Sequence, residues 1–259
     1  MTVPTMADMM AQGKQPEVLF WVGAAGSYDD RAKKITRAFV KILQQAKVDF
    51  AVLGVEESST GDAAKRAGNE FLFQMQAMMN IEVLNGYEVK KIVTCDPHSF
   101  NTFKNEYPGL GGNYEVFHHT QFIQNLIAEG RLKIDEITLQ GKRVTFHDPC
   151  YLGRGNDVYE SPRDLIRRLG VNLTEMKRNK RTALCCGAGG AQMFKDAEAG
   201  DKEVNILRTE EALETTPDII ATGCPYCNTM MTDGIKFKEK EATVVVKDIA
   251  ELIAEANNL

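Results

Sequence analysis

The sequence predicts an α/β protein with mainly parallel sheets flanked by helices, and two observations carry that reading. Short apolar runs bounded by glycine or polar residues alternate with longer stretches at helical spacing, the pattern of parallel strands covered by helices. The pattern also restarts after a polar stretch at 130–142, so the chain reads as two tandem halves in the same style.

The first sixteen residues are polar with scattered methionines and read as a loose arm. The run 18–22 ends at Gly23, as a buried strand would. Residues 29–46 place Ile35, Phe39, Ile42 and Leu43 at helical spacing. A strand follows at 50–53. A long helix at 64–84 carries Phe71, Met75, Met78 and Met79, which read as core filler. Strands at 91–94 and 114–117 alternate with a short helix from about Ser99 and a helix at 120–129. In the second half, strands at 144–146, 173–176, 218–221 and 244–246 alternate with helices at 162–169, 202–215, 226–233 and 247–257.

Composition narrows the function. Among 259 residues, 43% are apolar and 26% charged, which excludes disorder, collagen-like repeats and a coiled-coil rod. No apolar run is long enough to span a bilayer and the start does not read as a secretory signal. A cytoplasmic location is therefore expected. A net charge of −5 argues against a nucleic-acid partner, which would require the opposite sign. In a cytosolic setting six cysteines suit metal or redox chemistry better than disulfides.

Five of those cysteines lie in the second half, spaced Cys-x34-Cys-Cys-x37-Cys-x2-Cys. Cys150 follows the strand in Val-Thr-Phe-His-Asp-Pro-Cys. Cys185 and Cys186 open a glycine-rich run containing Gly187, Gly189 and Gly190. Cys224 and Cys227 follow another strand and open a helix. In a parallel sheet these strand ends share one edge, where α/β folds build their sites. Soft thiolates select iron–sulfur clusters, zinc or copper(I). Adjacent Cys185 and Cys186 suit a lone tetrahedral zinc poorly, whereas a larger cluster spans both. The glycines would bring backbone N–H groups to cluster sulfides. A structural zinc and redox-cycling thiols remain the alternatives.

The segments His147-Asp148-Pro149-Cys150-Tyr151-Leu152-Gly153-Arg154, Leu184-Cys185-Cys186-Gly187-Ala188-Gly189-Gly190 and Gly223-Cys224-Pro225-Tyr226-Cys227 resemble the signature of the cysteine-rich CCG domain family. The second gap is slightly longer than is usual there. The flanks look closest to the heterodisulfide-reductase-like iron–sulfur oxidoreductases. The resemblance implies a [4Fe–4S] cluster, cubane or non-cubane, held by the five cysteines.

The family usually carries this domain twice, and the first half contains a matching copy. Ala24 aligns with Cys150, Ser58 and Ser59 with Cys185 and Cys186, and Asp96 and Ser99 with Cys224 and Cys227, at offsets of 126, 127 and 128 residues. None of these residues is a thiol. The expected organisation is an N-terminal arm (1–16), a degenerate domain without cluster ligands (17–135) and a cluster-binding domain (136–259). These would be pseudo-symmetric and face each other across the cluster. Cys95, Asp96 and His98, with His118 or His119, form a weaker alternative metal set.

Other features carry less. His147, three residues before Cys150, fits either a hydrogen bond to a cluster ligand or a structural role. The His118–His119 pair fits a structural role. The basic run Lys177-Arg178-Asn179-Lys180-Arg181 suits a solvated loop, or a counter-charge for a cluster or docking site for an acidic partner. Gly187–Gly190 lacks the spacing of a dinucleotide loop. The resulting expectation is an electron-transfer subunit of a heterodisulfide-reductase-like complex, linked to a quinone or disulfide acceptor. Its partners would be a flavoprotein, a ferredoxin-like protein or a membrane quinone-linked protein. An iron–sulfur component of a lactate- or glycolate-oxidising complex, or a zinc-bound structural subunit, is the alternative.

Overall fold

The structure, a computed structural model, describes residues 2–134, 138–196 and 199–259. The expected domain boundary at 135/136 lies outside the described residues. The first half contains β1 (Val18–Trp21), β2 (Phe50–Ala51), β3 (Lys91–Thr94) and β4 (Glu115–His118). The second contains β5 (Arg143–Phe146), β6 (Asn172–Leu173), β7 (Ile219–Thr222) and β8 (Val245–Asp248). Each half forms one sheet, in the orders β2-β1-β3-β4 and β6-β5-β7-β8. Every pairing is parallel. The helices of the first half are α1 (Met6–Ala11), α2 (Gly23–Tyr28), α3 (Ala32–Gln45), α4 (Asp62–Arg66), α5 (Glu70–Gly86), α6 (Pro97–Asn101) and α7 (His119–Ala128). Those of the second are α8 (Glu160–Arg167), α9 (Val204–Leu213), α10 (Pro225–Phe237) and α11 (Ile249–Ala256).

Successive strand residues face opposite sides of a sheet, and here both sides are apolar. Val18 and Phe20 of β1 point into a core shared by the two halves, while Leu19 and Trp21 point into an outer core under α1 and α5. Ile219 and Ala221 of β7 enter the same shared core, and Ile220 packs outward with Met231 and Ile235 of α10. The shared layer is built from α3, α7, α8 and α11, through side chains such as Ile35, Phe39, Ile123, Leu165, Leu252 and Ile253. Polar ties cross it as well. Arg31 forks onto Glu251 at 2.9 and 2.7 Å and onto the Val246 carbonyl at 2.8 Å. His119 Nε2 is hydrogen-bonded to Asp248 Oδ1 at 2.9 Å, with both side chains fully buried.

Three expectations are corrected. Residues 2–11 are not a loose arm. Thr5 and Asp8 form a capping box that starts α1, and Met6 and Met9 are buried in the outer core. Backbone bonds of Val52 to Met6 and Pro4 tie this segment alongside β2. The helix expected at 64–84 is two helices, α4 and α5, with Asn69 Oδ1 accepting from Leu72 N at 3.0 Å where α5 begins, whereas the helix expected at 29–46 is α3 alone. The third correction concerns α5. Phe73, Ala77, Ile81 and Leu84 face the sheet, whereas Phe71, Met75, Met78 and Met79 are exposed, at 75%, 46%, 60% and 59%. Apolar residues surround this helix on all sides, so no periodicity marks which face is inward.

Because one apolar layer serves both sheets, the halves are expected to unfold as a unit. Phe39→Ala removes a buried ring from that layer and should cost about 3–5 kcal/mol. In urea, Trp21 fluorescence, which reports the first half, and far-ultraviolet circular dichroism should shift together. Two separated transitions would contradict a shared core.

Candidate functional site

The five second-half cysteines lie at the C-terminal ends of β5 and β7 and in the loop after β6. All are free thiols; Cys186, Cys224 and Cys227 are buried and Cys150 and Cys185 half-buried. Their side chains form a series of neighbours. Cys150 neighbours Cys185, Cys185 neighbours Cys186, and Cys224 neighbours Cys227. Cys186 and Cys227 close the series with sulfurs 3.3 Å apart. The neighbouring Cys150 and Cys186 thiols push the Cys185 thiol down, helped by Gly187 N–H at 3.3 Å. The same contacts, followed by burial, push Cys150, Cys186 and Cys227 well up. Further thiolates therefore require a cation among them.

The backbone prepares this arrangement. Gly187 adopts φ +91°, a conformation that side-chain-bearing residues rarely reach, and this turn aims its N–H at Cys185. Cys224 is the N-cap of α10, with Pro225 in the first turn, so the positive end of a 13-residue helix faces Cys224 and Cys227. Gly189 and Gly190 instead face the first half. A Cβ on Gly189 would lie 3.3 Å from His98 Cε1, and one on Gly190 3.6 Å from Arg66 Cβ.

Buried charges anchor the loops. Asp148 accepts from Arg163 at 2.7 and 2.8 Å and from Lys180 N at 2.7 Å. Arg163 also forks onto Glu175 at 2.7 and 2.9 Å. This ties the strand end before Cys150 to the loop before Cys185. His147 is buried, and among the described residues a ring nitrogen of it groups with the Cys186 and Cys227 sulfurs within 4.8 Å. Its Nδ1 accepts from Arg208 Nε at 3.0 Å, and Nε2 has no partner. Burial, then the Arg208 charge, push this imidazole down to about 3, so it is neutral at pH 7. Arg208, Arg163 and Asp148 were not singled out from sequence. For Asp148 the signal was its place in His-Asp-Pro-Cys; the arginines carried none, since other polar residues share their buried helix faces.

The alternative metal set is not assembled. Cys95 packs into the shared core. Asp96 caps α6 through His98 N and Ser99 N. His98 pairs with Asp62 at 2.9 Å, His118 bonds Thr120 and the Gly223 carbonyl, and His119 bonds Asp248. The basic run is largely matched by the chain's own carboxylates: Arg178 pairs with Glu211 and Lys180 with Glu160.

The family model described as cysteine-rich domain (CCG) matches residues 18–104 and again 144–232. This chain belongs to the CCG cysteine-rich domain family. Similar relatives include the "Probable iron-sulfur-binding oxidoreductase FadF" of Bacillus subtilis, 48% identical over 255 residues, covering 98% of this chain and 36% of that one. The "EtfAB:quinone oxidoreductase" of Syntrophomonas wolfei is 43% identical over 261 residues, with coverage of 98% and 36%. One subunit of the dihydromethanophenazine:CoB–CoM heterodisulfide reductase of Methanosarcina barkeri is 33% identical over 254 residues, with coverage of 94% and 59%. The chain thus spans about a third to three-fifths of the length of these relatives.

The first CCG copy has other residues where the second has sulfur. Ser58 Oγ donates to Asn80 Oδ1 at 2.8 Å, Ser59 Oγ accepts from Gly61 N at 3.2 Å, and Asp96 Oδ2 accepts from Ser99 Oγ at 2.7 Å. A cavity of about 70 Å³ separates Ser58, Ser59, Asp96 and Ser99 from Gly189, Gly190 and Tyr226 of the second copy. At the end of β1, Val22 N and Gly23 N donate to the Glu57 carboxylate at 2.9 and 2.6 Å. Burial lifts this carboxyl from 4.5 to about 7, against the opposing effect of those two bonds.

Glu57 therefore carries a pH-dependent destabilisation. Between about pH 4.5 and 7 the folded chain keeps a proton that the unfolded chain has released, so stability falls as pH rises through that window. Glu57→Gln is expected to reduce the difference in unfolding free energy between pH 5 and pH 8 by about 2–3 kcal/mol, read from urea titrations. An unchanged difference would count against a buried, ionising Glu57.

Proposed function

We propose that this chain is the electron-carrying portion of a heterodisulfide-reductase-like oxidoreductase and holds a [4Fe–4S] cluster, cubane or non-cubane, on Cys150, Cys185, Cys186, Cys224 and Cys227. The observation that carries the reading is the gathering of five neighbouring thiols at one sheet edge. The donor set fits such a group. Five soft donors exceed the four of a structural zinc, and an N–H from Gly187 and a buried, unpartnered His147 Nε2 lie beside the sulfurs. When bound, the group stores single electrons at a potential set by burial and hydrogen bonding.

The protein's own residues do the rest. The thiols release protons on loading. The Asp148–Arg163–Glu175 network holds the loops before Cys150 and Cys185 in register. Met193, Tyr226 and Met230 pack against Cys186, Cys224 and Cys227 and exclude water. With no thiol at Ala24, Ser58, Ser59, Asp96 or Ser99, the first copy keeps the fold and holds no cluster. A two-electron reaction then draws its second electron from another carrier.

The relatives named for EtfAB:quinone and heterodisulfide chemistry support a flavoprotein donor and a quinone or disulfide acceptor on other segments or subunits. Among the described residues no helix is long and apolar enough to cross a membrane. We therefore place the chain in the cytoplasm, reaching a membrane quinone through a partner.

Anaerobically prepared protein is expected to be brown, with about four irons per chain. Cys224→Ser should bleach it, whereas Cys95→Ser, in the apolar core, should leave iron content unchanged. Zinc in place of iron, or equal iron in the Cys224→Ser variant, would overturn the reading.

A further inference from the structure

We propose that Arg208 is a positioning residue that fixes the ring of His147 so that Nε2–H donates to the sulfur centre; this rests on the iron–sulfur reading above. Arg208 is fully buried on α9. Its Nε donates to His147 Nδ1 at 3.0 Å, and its Nη1 donates to the Arg178 carbonyl at 2.8 Å and to Glu211 Oε2 at 3.0 Å. The guanidinium is thus held independently of the histidine. The His147 backbone is held too, its N–H bonded to the Ala221 carbonyl at 2.9 Å.

Hydrogen-bond inventory then decides the tautomer. A guanidinium N–H only donates, so His147 Nδ1 must present a lone pair. The ring's single proton is therefore on Nε2. That nitrogen is buried with no protein partner, and the ring has a nitrogen within 4.8 Å of the Cys186 and Cys227 sulfurs. An N–H without a partner in such a place is costly, and a sulfur-rich anionic group satisfies it. The same inventory excludes His147 as an iron ligand. Binding iron through Nε2 while accepting at Nδ1 would require an imidazolate beside several thiolates.

A hydrogen bond to a cluster sulfur favours the more negative, reduced state and raises the potential. Potentials of the loaded protein, titrated by electron paramagnetic resonance, test the assignment. His147→Leu is expected to keep its iron and to show about a tenfold lower reduced-to-oxidised ratio at a fixed poise, or 59 mV for one electron. His147→Gln, which restores an N–H donor, should recover part of that loss.

Arg208→Met removes a positive charge as well as the ring's anchor, so it is measured in two backgrounds. Its shift should be larger in the parent than in His147→Leu, where no ring remains to position. Glu211 keeps Arg178 as a partner in this variant. Where Arg208→Met fails to fold, the two His147 variants decide.

Equal Arg208→Met shifts in the two backgrounds would mean that the charge acts alone, and would overturn the proposal. So would an unchanged potential in His147→Leu, loss of iron from it, or the strong ¹⁵N coupling of a bound histidine in labelled protein. Each leaves the cluster reading standing. A parent protein without iron overturns that reading and this assignment together.

Discussion

The apolar layer between the two sheets is the constraint on which the site depends. Phe20 and Val18 reach it from one sheet, Ile219 and Ala221 from the other, and α3 and α11 fill it. A fully buried side chain of this size contributes roughly 1.5–3 kcal/mol, so the layer outweighs any polar tie crossing it. With the sheets locked together, their C-terminal edges meet. The meeting is visible in specific contacts: the His98 ring lies 4.4 Å from Tyr151 and 5.6 Å from Tyr226, and His118 Nε2 is 3.0 Å from the Gly223 carbonyl. The first half therefore walls the cysteine site even though it offers that site no sulfur.

Electrostatics explains why the site's surroundings are so rich in buried charge. Asp148, Arg163, Arg208 and Glu211 are all buried, a costly arrangement if any one stood alone. Removing one member of such a pair typically costs about 3–5 kcal/mol, although an intact pair adds little net stability. What the network supplies is register. Asp148 joins the residue before Pro149 to Lys180, and Arg208 joins His147 to Arg178 and Glu211. Loops some thirty residues apart in sequence are thereby fixed relative to one another, as a five-sulfur constellation requires.

Much of this was legible in the sequence, and the rest was hidden for identifiable reasons. Strand 91–94 was read with its observed bounds because both faces are buried and Gly or Pro punctuation is close. β2 and β6 came out shorter than read; each is an edge strand with a single partner. The polar residues around the Thr5–Asp8 capping box make this segment read as an arm. On α5, apolar residues on every side left nothing to distinguish Phe73 from Phe71. Among site residues, the cysteines declared themselves by spacing. Arg208 and Glu57 did not, since their roles come from long-range contacts: Arg208 lies 61 positions from His147, and Glu57 lies 35 and 34 from Val22 and Gly23.

Glu57 also suggests why the first copy can persist without ligands. Strand ends in this fold present backbone N–H groups that need an anionic partner. In the second copy, Gly187 N–H turns to the Cys185 sulfur; in the first, Val22 and Gly23 N–H turn to a carboxylate. The charge balances differ. A single buried carboxyl near neutrality is relieved by one proton, which water always supplies. Several thiolates in contact are relieved only by a cation with matching geometry. The first copy is therefore complete as a polypeptide, whereas the second needs a metal group to settle its charge. The common core packs the self-sufficient copy against the dependent one, so the fold of the first supports the cysteine loops of the second.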